Sequence, residues 1–373
     1  MPLVQGKGAQ FAGIALKSIL DQEIRNGSQL TKDELAQWPK GKKLPSTVDL
    51  EGMCEEKIAG EQGIIKLYYH LLLDLGYFPK IVLVGDKSLW LFQEDFLNLW
   101  QLSNLLFVLD EPGQSRVFVD PSLRFAPPGV INPGYQGTRG VMMHPTLGWT
   151  AQVIELPIEP QINNVKEFDY IIVPGEDDQF KLTTKFLGYP ELIERGQFYS
   201  SQPLEQNRLL KERFEKGTRG ISIQTAEVLN ATNPKAACFW KVEGFQDRSG
   251  ERQRLVQPFP GMPLPLPVPD SFPKERKLPI VMRYLQVQKA KSQIRVPDGY
   301  RALQLDKMVR KNRFGQVKWS MKMEPIEDGK TLEVLLEIQI ESMLEEATAC
   351  QELKDFLSWI SESCQRKIIF EKI

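Results

Sequence analysis

A run of eight prolines between residues 258 and 279 constrains the fold more than any other feature of this sequence. Proline lacks a backbone N–H group, so neither a helix interior nor a central strand accommodates this spacing. The run predicts an extended connector with polyproline II character that crosses the surface as a stiff linker. Because Pro260 and Pro263 form a PxxP motif, a ligand for an aromatic groove is the alternative. A chain of 373 residues interrupted in this way predicts more than one domain.

Helical periodicity dominates the beginning of the chain. Apolar residues recur at helical spacing over residues 9–26 and again over 54–75, where Gly76 is the expected C-terminal cap. Buried strands are predicted after these helices, at 81–85, 105–109 and 116–119. Helices followed by strands predict an α+β domain over residues 1–150.

The remainder of the chain is predominantly β-like. A hairpin is predicted over residues 165–188, and period-two alternation between 281 and 342 indicates a series of antiparallel strands. Further elements are predicted at 204–216 (helix), 219–230 and 236–245 (strands), 345–363 (helix) and 367–370 (strand). We therefore expect a small β-rich domain with one helix over 151–250, and a β-sandwich-like domain with a C-terminal helix over 251–373.

Composition excludes several classes of protein. Hydrophobic residues make up 42% and charged residues 25% of the chain, which excludes wholesale disorder. The net charge of −1 gives no general attraction to nucleic acid, so we expect no nucleic-acid partner. One basic cluster is predicted to be a solvated turn, with a polyanion-binding patch as the alternative; it consists of Lys307, Arg310, Lys311, Arg313 and Lys318. No apolar run reaches about 18 residues, so no membrane insertion is expected, and no convincing signal peptide opens the sequence.

Histidine and cysteine are scarce, which limits the chemistry available. His70 and His144 are the only histidines, so a three-histidine zinc site is impossible and no HExxH motif exists. None of the four cysteines forms a CxxC pair. We therefore expect neither a metal nor another cofactor.

Cys54 is the strongest candidate for a nucleophile. It is predicted to lie in the first turn of the helix over 54–75, where the helix dipole and unpaired N–H groups favour a thiolate. The same N–H groups could form an oxyanion hole. Two carboxylates beside it, Glu55 and Glu56, oppose ionisation of the thiol. An inert, small hydrophobic cysteine is the competing interpretation.

The order of elements adds a family resemblance. A cysteine-headed helix, a strand, a loop, and two further strands ending in Asp120-Pro121 resemble the transglutaminase-like branch of the papain-type enzymes. Short segments throughout the chain are similar to a bacterial multidomain group of that superfamily; they are Gly52–Lys57, Leu75–Val84, Val119–Ser122, Pro128–Gly129, Gln136–Arg139, Arg276–Pro279 and Ile294–Tyr300. The resemblance implies a transglutaminase-like domain followed by β-rich domains, with Cys54 and Asp120 in a Cys-His-Asp triad.

The resemblance also identifies a missing residue. The family's catalytic histidine follows an asparagine at the start of a strand, and Leu105 follows Asn104 at the matching position here. Leucine neither accepts the thiol proton nor returns it to a leaving group. No histidine lies between 71 and 143, so a small shift in the alignment does not restore one. His70 is predicted too far along the helix to substitute, whereas His144 could reach Cys54 if its loop folds back.

Large apolar side chains concentrate before the strand that carries Leu105; they are Trp90, Phe92, Phe96 and Trp100. In active relatives the corresponding loop borders the substrate cleft. These side chains could fill the unused cleft, line a groove for a peptide or apolar ligand, or form an oligomer contact. The sequence alone leaves these alternatives and the oligomeric state open.

The sequence therefore predicts a catalytically inactive transglutaminase homologue that binds protein or peptide. By family resemblance, its location is expected to be the periplasm or the cell exterior. The alternative is an active cysteine acyltransferase or protease in which His144 or a water molecule supplies the base. A third possibility is a structural spacer within a longer polypeptide.

Overall fold

The computed structural model describes residues 8–27, 45–89, 91–93, 95, 98–144, 150–199, 201–217, 220–233, 236–247, 254–266, 277–303, 307–326 and 329–373. The chain divides into two compact units, Met1–Glu159 and Pro160–Ile373. Both units combine helices with sheets that are mostly antiparallel, so the predicted α+β class is confirmed.

The described part of the first unit places helices against a five-stranded antiparallel sheet. Its elements are α1 (Ala9–Glu23), β1 (Arg25–Asn26), α2 (Leu50–Glu56), β2 (Ile58–Ala59), α3 (Glu61–Asp74), β3 (Lys80–Val84), β4 (Asn104–Leu109), β5 (Val117–Val119), β6 (Arg139–His144) and β7 (Thr150–Glu155). The sheet order is β5-β4-β3-β6-β7, and β1 pairs in parallel with β2.

Alternation along the strands produces a core on each face of this sheet. Phe107 and Leu109 of β4 pack in one cluster with the apolar faces of α1 and α3, including Leu16 and Tyr68. The intervening residues of β3 and β4 pack on the opposite face with Ile131 and Tyr135 of the loop before β6; they are Val82, Val84, Leu106 and Val108. The sheet is thus covered by helices on one face and by a loop on the other.

The single helix predicted over residues 54–75 is wrong. Lys57 adopts a left-handed conformation with φ of 51°, which ends α2, and the backbone then forms β2 before α3 begins at Glu61. Apolar residues continue at helical spacing across this break, because Met53 packs in the same core as the buried face of α3. The apolar residues therefore keep a helical spacing across the break, although the backbone between α2 and α3 is not helical.

The second unit is organised around an eight-stranded sheet. Its described elements are β8 (Val165–Val173), β9 (Asp178–Leu187), α4 (Tyr189–Phe198), α5 (Pro203–Gly217), β10 (Ile221–Leu229), β11 (Phe239–Gln246), β12 (Arg254–Val256), β13 (Ile280–Val281), β14 (Gln286–Arg295), β15 (Tyr300–Ala302), β16 (Met308–Asn312), β17 (Gly315–Ile326), β18 (Gly329–Ile340), β19 (Leu344–Glu345), α6 (Cys350–Gln365) and β20 (Ile368–Lys372). The large sheet has the order β10-β11-β9-β8-β14-β18-β17-β16. Within it, β14 pairs in parallel with β8 and antiparallel with β18.

This pairing groups the chain differently from the predicted domain boundaries. The sequence predicted separate domains over 151–250 and 251–373, whereas β8 and β14, one from each range, are hydrogen-bonded neighbours in one sheet. Both ranges also contribute to one hydrophobic core, which contains Trp240 and Trp319. The proline-rich stretch between them looked like a boundary because its composition differs from that of both flanks.

The described part of that stretch packs into the core, so its predicted role as a surface linker is wrong for residues 258–266. Phe259 and Met262 are buried in the main hydrophobic cluster. The side-chain amides of Gln288 and Gln286 donate hydrogen bonds of 3.0 Å to the carbonyl oxygens of Pro263 and Pro265, respectively. An extended proline-rich backbone has carbonyl groups free to accept such bonds, and two glutamines on β14 supply the donors.

Candidate functional site

The N-terminus of α3 lies next to the residues that follow β5. Gly60 is the N-cap of this helix and provides no side-chain hydrogen bond, and Glu61 is its first residue. Partial burial raises the pKa of the Glu61 carboxyl group, and the charge of Asp120 raises it further. A helix start and a strand end therefore meet at one polar site in the first unit.

Asp120 is the buried centre of this site. Its side chain accepts hydrogen bonds from Ser122 Oγ at 2.6 Å, from the N–H groups of Ser122 and Leu123 at 3.1 and 3.3 Å, and from Asn132 N at 3.3 Å. Burial raises the pKa of Asp120, while the Ser122 hydroxyl and the charge of Lys17 oppose that increase. Because most of these bonds come from the loop after β5, Asp120 fixes the conformation of that loop.

The hydroxyl of Ser122 lies between two carboxyl groups. It donates to Asp120 at 2.6 Å, and the same hydroxyl opposes the increase in the pKa of Glu61. Partial burial and the charge of Asp120 both raise the pKa of Glu61. The protonated form of each of the two carboxyl groups is therefore more favourable here than in water.

A buried ion pair on α1 completes the cluster. Lys17 Nζ donates to both carboxylate oxygens of Asp21, at 2.6 and 2.5 Å, and to the carbonyl oxygen of Leu123 at 3.0 Å. Asp21 also accepts a bond of 2.9 Å from Phe125 N, and burial raises its pKa despite the nearby ammonium. Because Lys17 also lowers the pKa of Asp120, one cation stabilises two buried carboxylates.

Leu105 lies at the same end of the sheet as Asp120. Strands β4 and β5 are antiparallel with Phe107 opposite Val119. Leu105 precedes Phe107 by two residues and Asp120 follows Val119 directly, so both positions lie at one end of the strand pair. The Leu105 side chain packs against the cluster that contains the buried face of α3. The position therefore belongs to the apolar core and offers no proton acceptor.

Cys54 does not occupy the predicted position. It is exposed and lies in the last turn of the seven-residue helix α2, whose N-cap, Asp49, accepts a hydrogen bond from Gly52 N at 2.9 Å. The positive end of the helix dipole is therefore at the opposite end of α2 from the thiol. Within the part of the chain that the structure describes, the thiol makes no hydrogen bond to Asp120 or to either histidine.

Neither histidine is placed beside Asp120. His70 is exposed on α3, with its ring 5.7 Å from that of Tyr69. His144 was expected in a loop but is the last residue of β6, where Met143 pairs with Ile81 of β3. Asp120 directly follows the edge strand β5, and β6 lies three strands away in the sheet, so roughly 14 Å separates the two backbone positions across the sheet. This placement excludes His144 as a base for a site built on Asp120.

The predicted aromatic loop is described only in part. Trp90 and Phe96 lie outside the described residues, and Phe92 is half-buried. Trp100 is 81% exposed on a short 3-10 turn, Leu99–Gln101, and its N–H group donates to Asn98 Oδ1 at 3.0 Å. A further bond of 3.0 Å links Gln93 N to Gln101 Oε1. The turn thus presents a large apolar ring to solvent from a hydrogen-bonded backbone.

Sequence reasoning missed Lys17, Asp21, Glu61 and Ser122. A signal for two of them existed, because Lys17 and Asp21 are four residues apart on the stripe of α1 that also contains Leu16, Leu20 and Ile24. Charged residues on an apolar stripe indicate a buried ion pair. Glu61 could not be recognised as a helix start while α2 and α3 were predicted as one helix.

The predicted basic cluster is largely neutralised by carboxylates. Arg310 pairs with Glu362 at 2.7 Å, and Lys318 pairs with Glu337 at 3.0 Å. Two further members also pair, Lys311 with Glu341 at 3.0 Å and Arg313 with Glu352 at 2.7 Å. These pairs favour the solvated-turn interpretation over a polyanion patch.

The described residues form neither a metal-binding cluster nor a membrane-spanning helix. No group of three or more His, Cys, Asp or Glu side chains there has an arrangement that could hold a metal ion. No described helix is both long and apolar enough to cross a membrane.

Comparisons with known proteins give limited matches. Residues 259–370 match a family model described as a domain of unknown function with a solved structure, DUF3858, which covers less than half of the chain. A crystal structure described as "a putative protease" from Parabacteroides distasonis is similar, with 10% sequence identity and a TM-score of 0.48. The alignment covers 98% of this chain and 52% of that protein, so this chain spans about half of its length. No curated protein matches this chain.

Proposed function

We propose that the first unit is a catalytically inactive, transglutaminase-like module that binds protein or peptide. The layout supports this proposal: α3 packs on an antiparallel sheet, and Asp120 directly follows β5. The position beside Asp120 at the start of that helix holds Glu61, and the matching position on β4 holds Leu105. The expected periplasmic or extracellular location remains a prediction from the resemblance.

The chemistry of this site argues against acyl transfer. A thiol nucleophile needs a neighbouring base, and an imidazole that serves as that base is oriented by the third member of a triad. Asp120 instead accepts hydrogen bonds from its own loop, and Leu105 is apolar. By analogy with triad knockouts, loss of the base lowers the rate by roughly 10³-fold or more.

The observation that carries the binding role is the exposure of Trp100. A tryptophan side chain that is 81% exposed leaves most of a large apolar ring in water. Tryptophan is enriched among the residues that dominate binding energy at protein interfaces. Because the turn that holds Trp100 is hydrogen-bonded, little order has to be gained when a partner covers the ring. This exposure favours a contact surface over the cleft-filling role for that side chain.

A peptide-display experiment tests this role. The full chain is panned against a random dodecapeptide library, and the affinities of enriched peptides are measured by fluorescence polarisation. Trp100→Ala should weaken binding by about 30-fold, which corresponds to about 2 kcal/mol for a hot-spot residue. Phe78→Ala is the matched control, because Phe78 is also exposed in the first unit. Failure to enrich any peptide, or equal affinities for wild type and Trp100→Ala, would refute the proposal.

The alternative, an active cysteine acyltransferase or protease, is tested at Cys54. Iodoacetamide labelling followed by peptide mass spectrometry is measured from pH 6 to pH 9, with Cys54→Ser as the control. The proposal expects no hydrolysis of an activated ester that depends on Cys54 at any pH in this range. Rapid labelling at pH 6 together with Cys54-dependent hydrolysis of an activated ester would favour the enzyme.

A further inference from the structure

The edges of the two main sheets differ in how they are protected from pairing with another chain. An edge strand exposes unpaired N–H and C=O groups, and proteins usually block such edges. In the five-stranded sheet, the edge strand β5 has only three residues. In the eight-stranded sheet, the edge strand β16 carries Arg310 and Lys311, and charge on an edge discourages pairing.

Strand β10, the other edge of the eight-stranded sheet, is blocked by side chains of α5. Glu215 Oε1 accepts a hydrogen bond of 3.1 Å from Ile223 N, and Asn207 Oδ1 accepts one of 3.3 Å from Val228 N. A bulge between Ile223 and Thr225 further disrupts this edge. Three of the four edges therefore carry a recognised protective feature.

Strand β7 is less protected, because it has six residues, no bulge and a single charged residue, Glu155, at its end. Its six residues, Thr-Ala-Gln-Val-Ile-Glu, include no proline, lysine or arginine, and all except Ile154 are exposed. Valine, isoleucine and threonine favour strands, so this edge has the composition of a strand that accepts another. Val153, at 43% exposure, is a β-branched apolar residue left in water at the edge.

The direction of the free backbone groups follows from the pairing of β7 with β6. Leu156 N donates to Thr138 O at 2.8 Å, and hydrogen-bonded pairs alternate along an antiparallel ladder. Thr150, Gln152 and Ile154 therefore direct their backbone groups toward β6. Ala151, Val153 and Glu155 direct theirs outward, and in the described part of the chain these groups have no hydrogen-bond partner.

We propose that β7 pairs antiparallel with β7 of a second copy of this chain. Outward-facing residues must oppose outward-facing residues, which places Val153 opposite Val153 on the two-fold axis and Ala151 opposite Glu155. In this register no two like charges lie directly opposite each other, and the two valines bury each other. The strand is thus complementary to itself in hydrogen bonding, and the pairing brings no like charges directly opposite each other.

The contact is small, so the dimer is weak. Interfaces below about 1,200 Å² belong to the weak, transient class, and a single pair of six-residue strands falls in that class. The surface is distinct from the turn that carries Trp100, because β7 and the β3–β4 connection lie at different places in the sheet order. The proposed self-pairing therefore does not depend on the proposed function.

Sedimentation velocity of the full chain between 1 and 300 μM tests the proposal. Wild type should shift from monomer to dimer across this range. Val153→Pro should remain monomeric, because it removes one outward N–H group and leaves the bonds to β6 intact. Val153→Thr, which keeps the N–H group and the strand preference, is the matched control and should still dimerise.

A second variant keeps the test decisive if Val153→Pro fails to fold. Val153→Lys retains every backbone donor but places two positive charges opposite each other on the axis. It should be monomeric at low salt and should regain part of the dimer at 1 M salt, because salt screens the repulsion. A wild-type chain that stays monomeric at 300 μM, or a dimer unaffected by Val153→Pro and Val153→Lys, overturns the proposal.

Discussion

Replacing Lys17 by methionine isolates the electrostatic role of the buried cluster. The substitution keeps an apolar stem of similar length but removes the ammonium that bonds both oxygens of Asp21. The carboxylate of Asp21 then remains buried with Phe125 N as its remaining described donor. Removing one member of a buried ion pair costs about 3–5 kcal/mol, because the other charge stays desolvated.

The pH sets an upper limit on this cost, because Asp21 can take up a proton instead. Protonating a carboxyl group with an ordinary pKa near 3.9 costs at most about 4 kcal/mol at pH 7 and about 1.5 kcal/mol at pH 5, at 1.36 kcal/mol per pH unit. Lys17→Met should therefore destabilise the first unit by about 3–4 kcal/mol at pH 7, and by at most about 1.5 kcal/mol at pH 5.

Hydrogen exchange of peptides from α1 in increasing urea measures the free energy of opening locally. The second unit does not contribute, because only peptides from α1 are followed. The exchange rates are corrected for intrinsic exchange at each pH. Lys66→Met, at an exposed position of α3, is the control and should change stability by less than about 0.5 kcal/mol. Adding Asp21→Asn to Lys17→Met should recover at least half of the loss. Equal destabilisation at pH 5 and pH 7 would refute the assignment to a buried charge.

Three further predictions concern other parts of the structure. Burial raises the folded-state pKa of Asp120 above its unfolded value, so the stability of the first unit should fall as the pH rises through the folded-state pKa. The variant Asp120→Asn should flatten this dependence of stability on pH, measured by the same hydrogen-exchange method. The Arg195 guanidinium donates hydrogen bonds to backbone carbonyl groups of the turn after β10 and to Glu191. Arg195→Met should therefore destabilise that turn by about 3 kcal/mol or more, which hydrogen exchange would detect as faster exchange of its amides. Asn207→Leu should increase aggregation on mild heating, measured by light scattering, because it uncovers an N–H group on the edge strand β10.

Local sequence patterns predicted correctly those helices and strands that pack one face against a single hydrophobic core. The hairpin over 165–188 forms as β8 and β9, because alternation and the turn at Pro174–Asp178 give the same register. The helix over 204–216 forms as α5 within one residue at each end. The helix α4 was missed because it follows β9 after one residue, its N-cap Gly188, whose φ of 68° changes the direction of the chain abruptly.

The errors share a physical cause, which is that tertiary contacts determine what a local pattern means. The break at Lys57 depends on a left-handed lysine and on pairing between β1 and β2, and the first of these contradicts ordinary preference. The proline-rich stretch is buried only because Gln286 and Gln288 satisfy its carbonyl groups. The pairing of β1 with β2 and the glutamine donors on β14 both involve residues far away in the sequence. Periodicity and composition of a local segment were therefore insufficient to predict the helix break and the buried proline-rich stretch.

The remnant site can be tested by rebuilding it at the positions that the fold provides. In a Cys54→Ser background, Glu61→Cys places a thiol in the first turn of α3, where the helix dipole favours the thiolate. Adding Leu105→His supplies an imidazole at the end of the sheet that also holds Asp120. If Leu105 adjoins the start of α3, the second substitution should lower the pKa of the new thiol by about one unit or more, because a neighbouring imidazolium stabilises the thiolate. The pH dependence of iodoacetamide labelling measures this shift.

The variant Leu106→His is an unsuitable control because Leu106 is buried on the other face, so Ser103→His, at an exposed position before β4, is used instead. Identical labelling profiles with and without Leu105→His would show that these positions do not form one site, and the interpretation of the first unit as a degenerate triad would fail.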